Sequence, residues 1–255
     1  MGTKRALCLS VLAVIGVAAP AKAATLTLND VTPSVWEHLT YTGPSGPVTE
    51  DSPYIGRINW TFNRSAPDNA GLDLLVPGTT LNTVCVDIAQ LVYFGPTTFP
   101  DILSDVSKAP EDNVGSGMGV GTAALLSKFW DAYYGQSAAS SAKAGAFQLG
   151  VWEIVGDGST SLDLTKGNFQ ASSNGGDATS AAAVTQAQTW LTALNTVTPT
   201  EHYHLYTLSD PSKQDQLFGV ATAVVPLPAA LPIGLAAMAA MGIVHLVRRR
   251  RSLRD

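Results

Sequence analysis

The two ends of the chain most constrain what it can fold into, because each is an apolar segment unlike the region between them. Residues 1–23 begin with Lys4 and Arg5, continue as an apolar run and end in the small-residue pattern Ala21-Lys22-Ala23. This order is typical of a secretory signal peptide that is cleaved before Ala24. We therefore expect the folded domain to begin at Ala24 and to be exported.

The C-terminal segment, residues 225–255, carries an uncharged stretch followed by a cluster of basic residues. The 19 residues from Ala229 to Val247 contain no charge, which is about the length that crosses a bilayer as a transmembrane helix. The basic residues that follow directly are Arg248, Arg249, Arg250 and Arg251. Such a cluster stays on the cytoplasmic side and stops transfer. An ordinary tail anchor has the same pattern.

Residues 24–224 then form one exported domain, which is long enough to bury a core. The terminal segments hold eight of the 15 basic residues and one of the 20 acidic residues. The domain between them therefore carries seven basic and 19 acidic residues, a net charge of −12. An acidic surface of this kind argues against nucleic acid and against anionic lipid as partners.

The spacing of apolar residues predicts strands in the first half of the domain, helices in the middle and strands again at the end. Alternating residues predict strands, and spacings of three and four predict helices. The predicted strands are residues 24–31, 57–62, 81–94, 201–208 and 215–223, and the predicted helices are 121–135, 137–158 and 179–195. This order predicts an α+β domain, mainly an antiparallel β sandwich or barrel with a helical insertion.

Cys85, in the segment LNTVCVDIAQ, is the one cysteine that remains when Cys8 leaves with the signal peptide. An unpaired cysteine in an exported protein indicates a reactive thiol or an intermolecular disulfide, but it is also commonly a small buried side chain. In an alternating strand the valines on either side of Cys85 face the core, and Cys85 points the other way.

An internal thioester is a further interpretation of this cysteine. The cysteine thiolate attacks the side-chain carbonyl of a glutamine, ammonia leaves, and an amine or hydroxyl later captures the acyl group. The bond needs a rigidly held glutamine and surroundings from which water is excluded. The candidates are Gln148, on the predicted buried face of the second helix, and Gln216, at the start of the last strand. A buried Gln148 must be paired, since an unpaired amide costs ~1–3 kcal/mol.

Three segments resemble the bacterial surface thioester domains, also called TQXA domains. The matching segments are VCVD at Val84–Asp87, FQLGVW at Phe147–Trp152 and DQLFG at Asp215–Gly219. They correspond to the family's aromatic- or aliphatic-Cys-aliphatic motif, its Thr-Gln-x-Ala-Ile/Val-Trp helix and its C-terminal glutamine segment. Phe147 stands at the threonine position and Gly150 at the alanine position.

This resemblance covers about residues 57–220. It implies that Cys85 and Gln216 form the thioester and that Gln148 and Trp152 support it from the helix. It also implies a protein that is not an enzyme, because the bond is consumed once per molecule.

The C-terminal segment resembles the VPLPA variant of PEP-CTERM sorting signals. The motif consists of Val225, Pro226, Leu227, Pro228 and Ala229, followed by the apolar stretch and the arginine cluster. The resemblance implies removal of the tail by an exosortase-type processing protease in a Gram-negative bacterium. The protein would be anchored in the inner membrane before processing and would lie at the cell surface or in the extracellular matrix afterwards.

The sequence thus predicts an exported surface protein that attaches covalently to an amine- or hydroxyl-bearing partner. The alternative is a non-covalent matrix protein of the same fold that binds exopolysaccharide in a biofilm through exposed aromatic residues such as Trp36, Trp60 or Tyr134. A third hypothesis is a hydrolase with paired carboxylates, for which the candidates are Asp87, Glu153 and Asp157.

We expect no cofactor and no metal. His202 and His204 alternate on a predicted strand and share one face, but no third ligand lies near them in the sequence. We expect both histidines to face solvent.

Overall fold

The computed structural model describes residues 24–43, 45–64, 77–90, 92–110, 117–158 and 162–222. The predicted signal peptide, the VPLPA motif at residues 225–229, the apolar stretch and the arginine cluster lie outside these residues. Within the described ranges no helix is long and apolar enough to cross a membrane. Those ranges also contain no group of three or more side chains that could hold a metal ion. The chain divides into two units, Met1–Val220 and Ala221–Asp255, and the fold is that of the first.

The domain is an α+β protein dominated by an antiparallel sheet, with three helices. The strands are β1 (Ala24–Gly43), β2 (Gly46–Arg64), β3 (Thr80–Cys85), β4 (Gly95–Phe99), β5 (Asp101–Leu103), β6 (Phe169–Ser173), β7 (Tyr203–Ser209) and β8 (Gln216–Ala221). The helices are α1 (Gly119–Ser137), α2 (Ser141–Asp157) and α3 (Ala178–Ala193), and a short 3₁₀ helix covers Val106–Lys108.

The sheet is built on the long hairpin of β1 and β2. Its strand order is β4-β1-β2-β3-β8-β7-β5, and β6 pairs with a second part of β1. The outer edge of β1 pairs with β4 over Ala24–Leu28 and with β6 over Glu37–Tyr41. Strand β3 joins the hairpin to β8, and this pairing places Cys85 directly opposite Gln216.

Helix α2 is the central helix, and it is buried on nearly all sides. It begins after Ser140, whose hydroxyl accepts a hydrogen bond from the amide of Lys143, and it ends at Gly158, which has a left-handed φ of 62°. Gly145 permits the close packing of α2 on β1, because a Cβ atom there would lie 2.3 Å from Cγ1 of Val35. The helix thereby carries Gln148 into the interior, next to β3.

The three predicted helices and the strands at 201–208 and 215–223 are confirmed to within a few residues. The prediction of one strand over 81–94 is wrong, because β3 ends at Cys85. The backbone turns there: the amide of Val86 donates to the carbonyl of Asp215, and the carboxylate of Asp87 accepts from the amide of Ala89. The last three residues of β3, Thr83, Val84 and Cys85, are all buried, so at its end the alternation does not separate a core face from a solvent face.

Candidate functional site

The thiol of Cys85 lies at the end of β3, beside the carboxamide of Gln216 on β8. The two residues are cross-strand partners, and Nε2 of Gln216 is 3.7 Å from Sγ of Cys85. The hydroxyl of Thr83 donates to Oε1 of Gln216 at 2.7 Å and accepts from Nε1 of Trp60 at 2.8 Å. The Gln216 carbonyl is therefore polarised by a hydroxyl that is itself held in place.

Gln148 fixes the backbone of Cys85 and does not face its sulfur. Oε1 of Gln148 accepts from the Cys85 amide at 2.9 Å, and Nε2 donates to the Cys85 carbonyl at 2.7 Å. The buried amide expected on this helix is thus fully paired. Of the two glutamines that the sequence left open as acyl donors, Gln216 is the one whose carboxamide faces the sulfur.

A third glutamine, Gln214, also contacts the sulfur and was missed in the sequence. The Cys85 thiol donates to Oε1 of Gln214 at 2.8 Å, and Nε2 of Gln214 donates to the carbonyl of Asp87 at 2.8 Å. Sequence spacing carried no signal for it, because Gln214 lies in the loop before β8 and reaches the sulfur only in the folded chain. We refer to Thr83, Cys85, Gln148, Gln214 and Gln216 together as the amide cluster.

The Cys85 thiol is held in its neutral form. It is only 7% exposed, and burial raises its pKa to about 12, an effect that the charge of Asp87 reinforces and a hydrogen bond with Gln216 opposes. A thiol of this kind is a poor target for oxidation and for alkylation near neutral pH, because the thiolate is the reactive species. The surroundings therefore suppress ordinary cysteine chemistry.

A cavity of about 300 Å³ leads from the surface to Cys85. Its inner part is lined by Cys85, Gln148, Gln214 and Trp152, and its lining also includes Glu50, Asp51 and Tyr54 from β2. The volume lies at the lower end of the ~300–1,000 Å³ range of small-molecule sites. A small group on a larger ligand can therefore reach the amide cluster through it.

Trp152 lines this cavity with an indole that is 6% exposed. Its Nε1 has no hydrogen-bond partner within the described ranges. A buried indole N–H is normally paired. The site thus contains one donor that is available to a ligand or to an oxygen that gains charge during a reaction.

The two departures from the TQXA pattern are explained by one neighbouring side chain. The ring of Phe129 stacks on Phe147, with centroids 5.2 Å apart. It also fills the space beside Gly150, where a Cβ atom would lie 2.2 Å from the ring. Phenylalanine at 147 and glycine at 150 are therefore parts of one aromatic packing arrangement between α1 and α2.

The carboxylates that suggested a hydrolase lie in different surroundings. Glu153 is fully buried and lines neither the Cys85 cavity nor the cavity beside it. Asp157 accepts hydrogen bonds from the backbone amides of Asn168 and Phe169. Asp87 lines only the neighbouring cavity. None of the three lines the Cys85 cavity, and the nearby charge of Asp157 contributes to the raised pKa of Glu153.

The predicted aromatic residues differ in exposure. Trp36 is 49% exposed, whereas Trp60 is fully buried, so the expectation that Trp60 contacts a ligand is wrong. Tyr134 is half-buried and stacks on Trp130. His202 and His204 are exposed, as expected. Trp36 is the one of the three aromatic candidates that is open to a partner.

Comparisons of the chain with models of protein families, with curated proteins and with solved structures find no match. The class of the protein must therefore be argued from the amide cluster and its cavity.

Proposed function

We propose that the protein is an exported thioester domain that attaches covalently to an amine- or hydroxyl-bearing partner. The observation that carries this proposal is the contact between the Cys85 thiol and the Gln216 carboxamide, two buried cross-strand partners with 3.7 Å between Sγ and Nε2. A sulfur and a carboxamide that lie 131 residues apart in the sequence meet in a closed environment.

Bond formation joins Sγ of Cys85 to Cδ of Gln216. The bond from Cδ to Nε2 breaks, and the thiol hydrogen leaves with that nitrogen as ammonia. Both reactants and both products are neutral, so a buried site favours this step over one that needs a thiolate to persist. Two fixed groups in one protein react with an effective concentration of ~10⁵–10⁸ M when they are well oriented.

Three residues of the amide cluster prepare this step. Thr83 donates to the carbonyl oxygen of Gln216 and stabilises negative charge that develops there. Oε1 of Gln214 accepts a hydrogen bond from the Cys85 thiol, and this orientation leaves the lone pairs of the sulfur free to face Gln216. Gln148 holds the Cys85 backbone at both its amide and its carbonyl.

Capture of a partner breaks the thioester and forms a new bond from the Gln216 acyl carbon to the partner. A nucleophile enters through the cavity and attacks Cδ of Gln216, the C–S bond breaks, and the sulfur takes up the proton that the nucleophile loses. The product is an amide or an ester, and Cys85 becomes a thiol again. The hydroxyl of Thr83, which donates to Oε1 of Gln216, stabilises that oxygen in the intermediate.

We further propose that the antiparallel sheet and three helices form the sandwich with a helical insertion that is typical of thioester domains. The bond is used once, so the protein is not an enzyme. The terminal segments imply export, sorting by an exosortase-type protease and a final position at the cell surface or in the matrix. These assignments rest on the sequence patterns at 1–23 and 225–255.

Mass spectrometry of the intact exported protein tests the reactive bond. The proposal expects a mass lower by one ammonia, an adduct after methylamine treatment and one newly alkylated thiol in that adduct. Gln216→Ala and Cys85→Ala should show the full mass and no adduct. Gln214→Ala should still lose ammonia, because Gln214 orients the thiol without supplying the acyl group. Loss of ammonia in Gln216→Ala but not in Gln214→Ala would transfer the role of donor to Gln214.

A non-covalent matrix protein is the second candidate function, and the exposed indole of Trp36 favours it. This candidate expects polysaccharide binding that is unchanged in Cys85→Ala, together with the full mass of the wild-type protein. Retention of the polysaccharide by wild type under denaturing conditions would exclude it.

A further inference from the structure

The cavities around Cys85 are acidic. Glu50 and Asp51 line the first cavity, and Asp87 lines a second cavity of about 650 Å³ beside it. No lysine, arginine or histidine is among the described residues that line either cavity. Asp51 pairs with Nδ1 of His38 at 2.7 Å, whereas Glu50 has no hydrogen bond or ion pair within the described part of the chain. The field at the entrance therefore favours a cation.

The negative field is also felt by a group in the wall of both cavities. Tyr41 lines the two cavities, and its pKa is raised by burial and further by the charges of Glu50 and Asp87. The carboxylates thus act on the interior of the site as well as on its rim.

Two polar groups in the shared wall have no partner within the described residues. Nε1 of Trp152 is a buried donor, and Oε1 of Gln90 is a buried acceptor. Unpaired buried groups cost ~1–3 kcal/mol each, and both residues line the two cavities. A ligand that carries both N–H donors and oxygen acceptors satisfies them together.

An exposed aromatic platform continues from the entrance of the first cavity. Trp36 and Tyr54 are each 49% exposed, and their ring centroids are 4.6 Å apart. Tyr54 also lines the cavity. Exposed Trp and Tyr faces offer rigid apolar surfaces with polar edges, which suit the flat C–H faces of sugar rings.

The Cys85 cavity adjoins both the second cavity and the aromatic platform. The two cavities share the lining residues Tyr41, Ile88, Gln90 and Trp152, so they lie side by side. The aromatic platform lies next to the first cavity. A ligand that rests on the aromatic platform can therefore extend a unit into the Cys85 cavity.

We infer that the acyl acceptor is a polymer of amino sugars with free amines. This inference rests on the proposed thioester, and it names the partner of that same site. The rings stack on Trp36 and Tyr54, an ammonium group is attracted by Glu50 and Asp51, and sugar hydroxyls pair with Gln90 and Trp152. One unit places its nitrogen at Cys85.

The reaction requires that this nitrogen lose a proton. The ammonium form is attracted to the acidic entrance, gives its proton to water and then attacks Cδ of Gln216 as a neutral amine. The C–S bond breaks, and Sγ of Cys85 takes up the second nitrogen proton. Electron-withdrawing oxygens make an amino-sugar nitrogen a weaker base than the amine of lysine, so more of it is neutral and nucleophilic at neutral pH.

Binding to the unreactive variant Cys85→Ala tests the ligand class separately from the covalent step. The probes are hexamers of β-1,4-linked glucosamine, N-acetylglucosamine and glucose, and a hexalysine peptide with blocked termini and the same number of amines, measured by calorimetry at low and high salt. We expect the glucosamine hexamer to bind most tightly and to weaken in salt. In wild type the same hexamer should form an adduct detected by intact mass.

Variants locate the binding surface. Glu50→Gln should weaken glucosamine binding about fivefold, and Trp36→Ala should do so by a similar factor. Asp101→Asn is the matched control, because Asp101 is exposed on β5 and lines neither cavity. It removes the same charge and should leave the affinity unchanged.

Equal or tighter binding of hexalysine would overturn the amino-sugar inference in favour of a protein acceptor. Equal binding of the glucose hexamer would overturn the role of the amines. A wild-type protein that loses ammonia and reacts with methylamine, yet neither binds nor captures the glucosamine hexamer, would overturn this inference and leave the thioester intact. Tight binding by a protein that never loses ammonia would overturn the thioester and leave the sugar site.

Discussion

Two groups of buried polar side chains in this domain differ in how they are paired. In the amide cluster the carboxamides of Gln148, Gln214 and Gln216 each make hydrogen bonds through both their oxygen and their nitrogen. By contrast, Glu37 on β1 and Glu153 on α2 are fully buried, and each has one carboxyl oxygen without a partner within the described residues. We call these two residues the buried glutamates.

The difference teaches which part of the domain is sensitive to pH. The amide cluster is neutral, so its geometry holds across the physiological range and suits a reaction between neutral groups. Burial raises the pKa of Glu37 to about 7 and that of Glu153 to about 8. The surrounding scaffold therefore titrates, whereas the candidate reactive site does not.

The first prediction removes the side chain of Gln148, which supports the amide cluster, and it has the largest expected effect of a single substitution on stability. Gln148→Ala leaves the amide and the carbonyl of Cys85 unpaired in the interior, so we expect the free energy of unfolding to fall by about 3 kcal/mol. Urea denaturation measures this. Gln170→Ala, at an exposed glutamine on β6, is the control and should change it by less than about 0.5 kcal/mol. Equal effects in both variants would show that the hydrogen bonds of Gln148 to the Cys85 backbone do not contribute to stability.

The second prediction concerns the pH dependence of stability that the buried glutamates cause. Both glutamates have an ordinary pKa of 4.5 and a higher one in the folded chain. Above pH 4.5 the unfolded chain has lost these protons, whereas the folded chain retains that of Glu37 up to about pH 7 and that of Glu153 up to about pH 8. The free energy of unfolding should therefore fall as pH rises through this window, by on the order of 2–3 kcal/mol for each glutamate.

Urea denaturation at pH 5, 6, 7 and 8 measures this slope. Glu37→Gln and Glu153→Gln should each flatten it, and Asp101→Asn, at an exposed carboxylate, should not. A slope that persists in the double glutamine variant would assign the pH dependence to other groups.

Much of the scaffold around the amide cluster was predictable from sequence, because local patterns specify it. The helices were found since apolar residues at 121–195 recur with helical spacing, and the burial of Gln148 followed from its place on that pattern. The edge strands β4, β5 and β6 were missed, because they have three to five residues and pair only through the tertiary fold. Local spacing carries no signal for such pairing.

The sequence predicted residues of the candidate site but not their geometry. The resemblance selected Gln216, and the register of β3 and β8 then placed it opposite Cys85. Sequence spacing alone did not distinguish Gln148 from Gln216 as the acyl donor. It also did not reveal the contact of Gln214, because the bend after Cys85 and the loop before β8 bring these residues together only in the folded chain.

The third prediction concerns the packing that carries Gln148. Gly150→Ala introduces the residue typical of TQXA helices, but its Cβ would lie 2.2 Å from the Phe129 ring. We expect a loss of about 1–2 kcal/mol in stability and partial rescue by Phe129→Leu, measured by thermal and urea unfolding. Gly121→Ala on α1, where nothing lies within 4 Å of the added Cβ, should instead be neutral or stabilising. Additive effects of Gly150→Ala and Phe129→Leu would contradict the proposed packing.

The fourth prediction tests the polarising hydroxyl. Thr83→Val removes the donor to Gln216 and the acceptor for Trp60, so two buried groups lose a partner at a cost of ~1 kcal/mol each. We also expect slower loss of ammonia, followed by mass spectrometry after refolding. Thr83→Ser keeps the hydroxyl and should form the bond at nearly the wild-type rate. Slow formation in Thr83→Ser and fast formation in Thr83→Val would exclude a role for the hydroxyl.

The intact mass of the exported protein, read before and after denaturation in the presence of a thiol-alkylating reagent, tests the central claim most directly. The account predicts a mass lower by one ammonia and no alkylation of Cys85 until a nucleophile has opened the bond. The full mass, together with an alkylated Cys85 on denaturation alone, would contradict it.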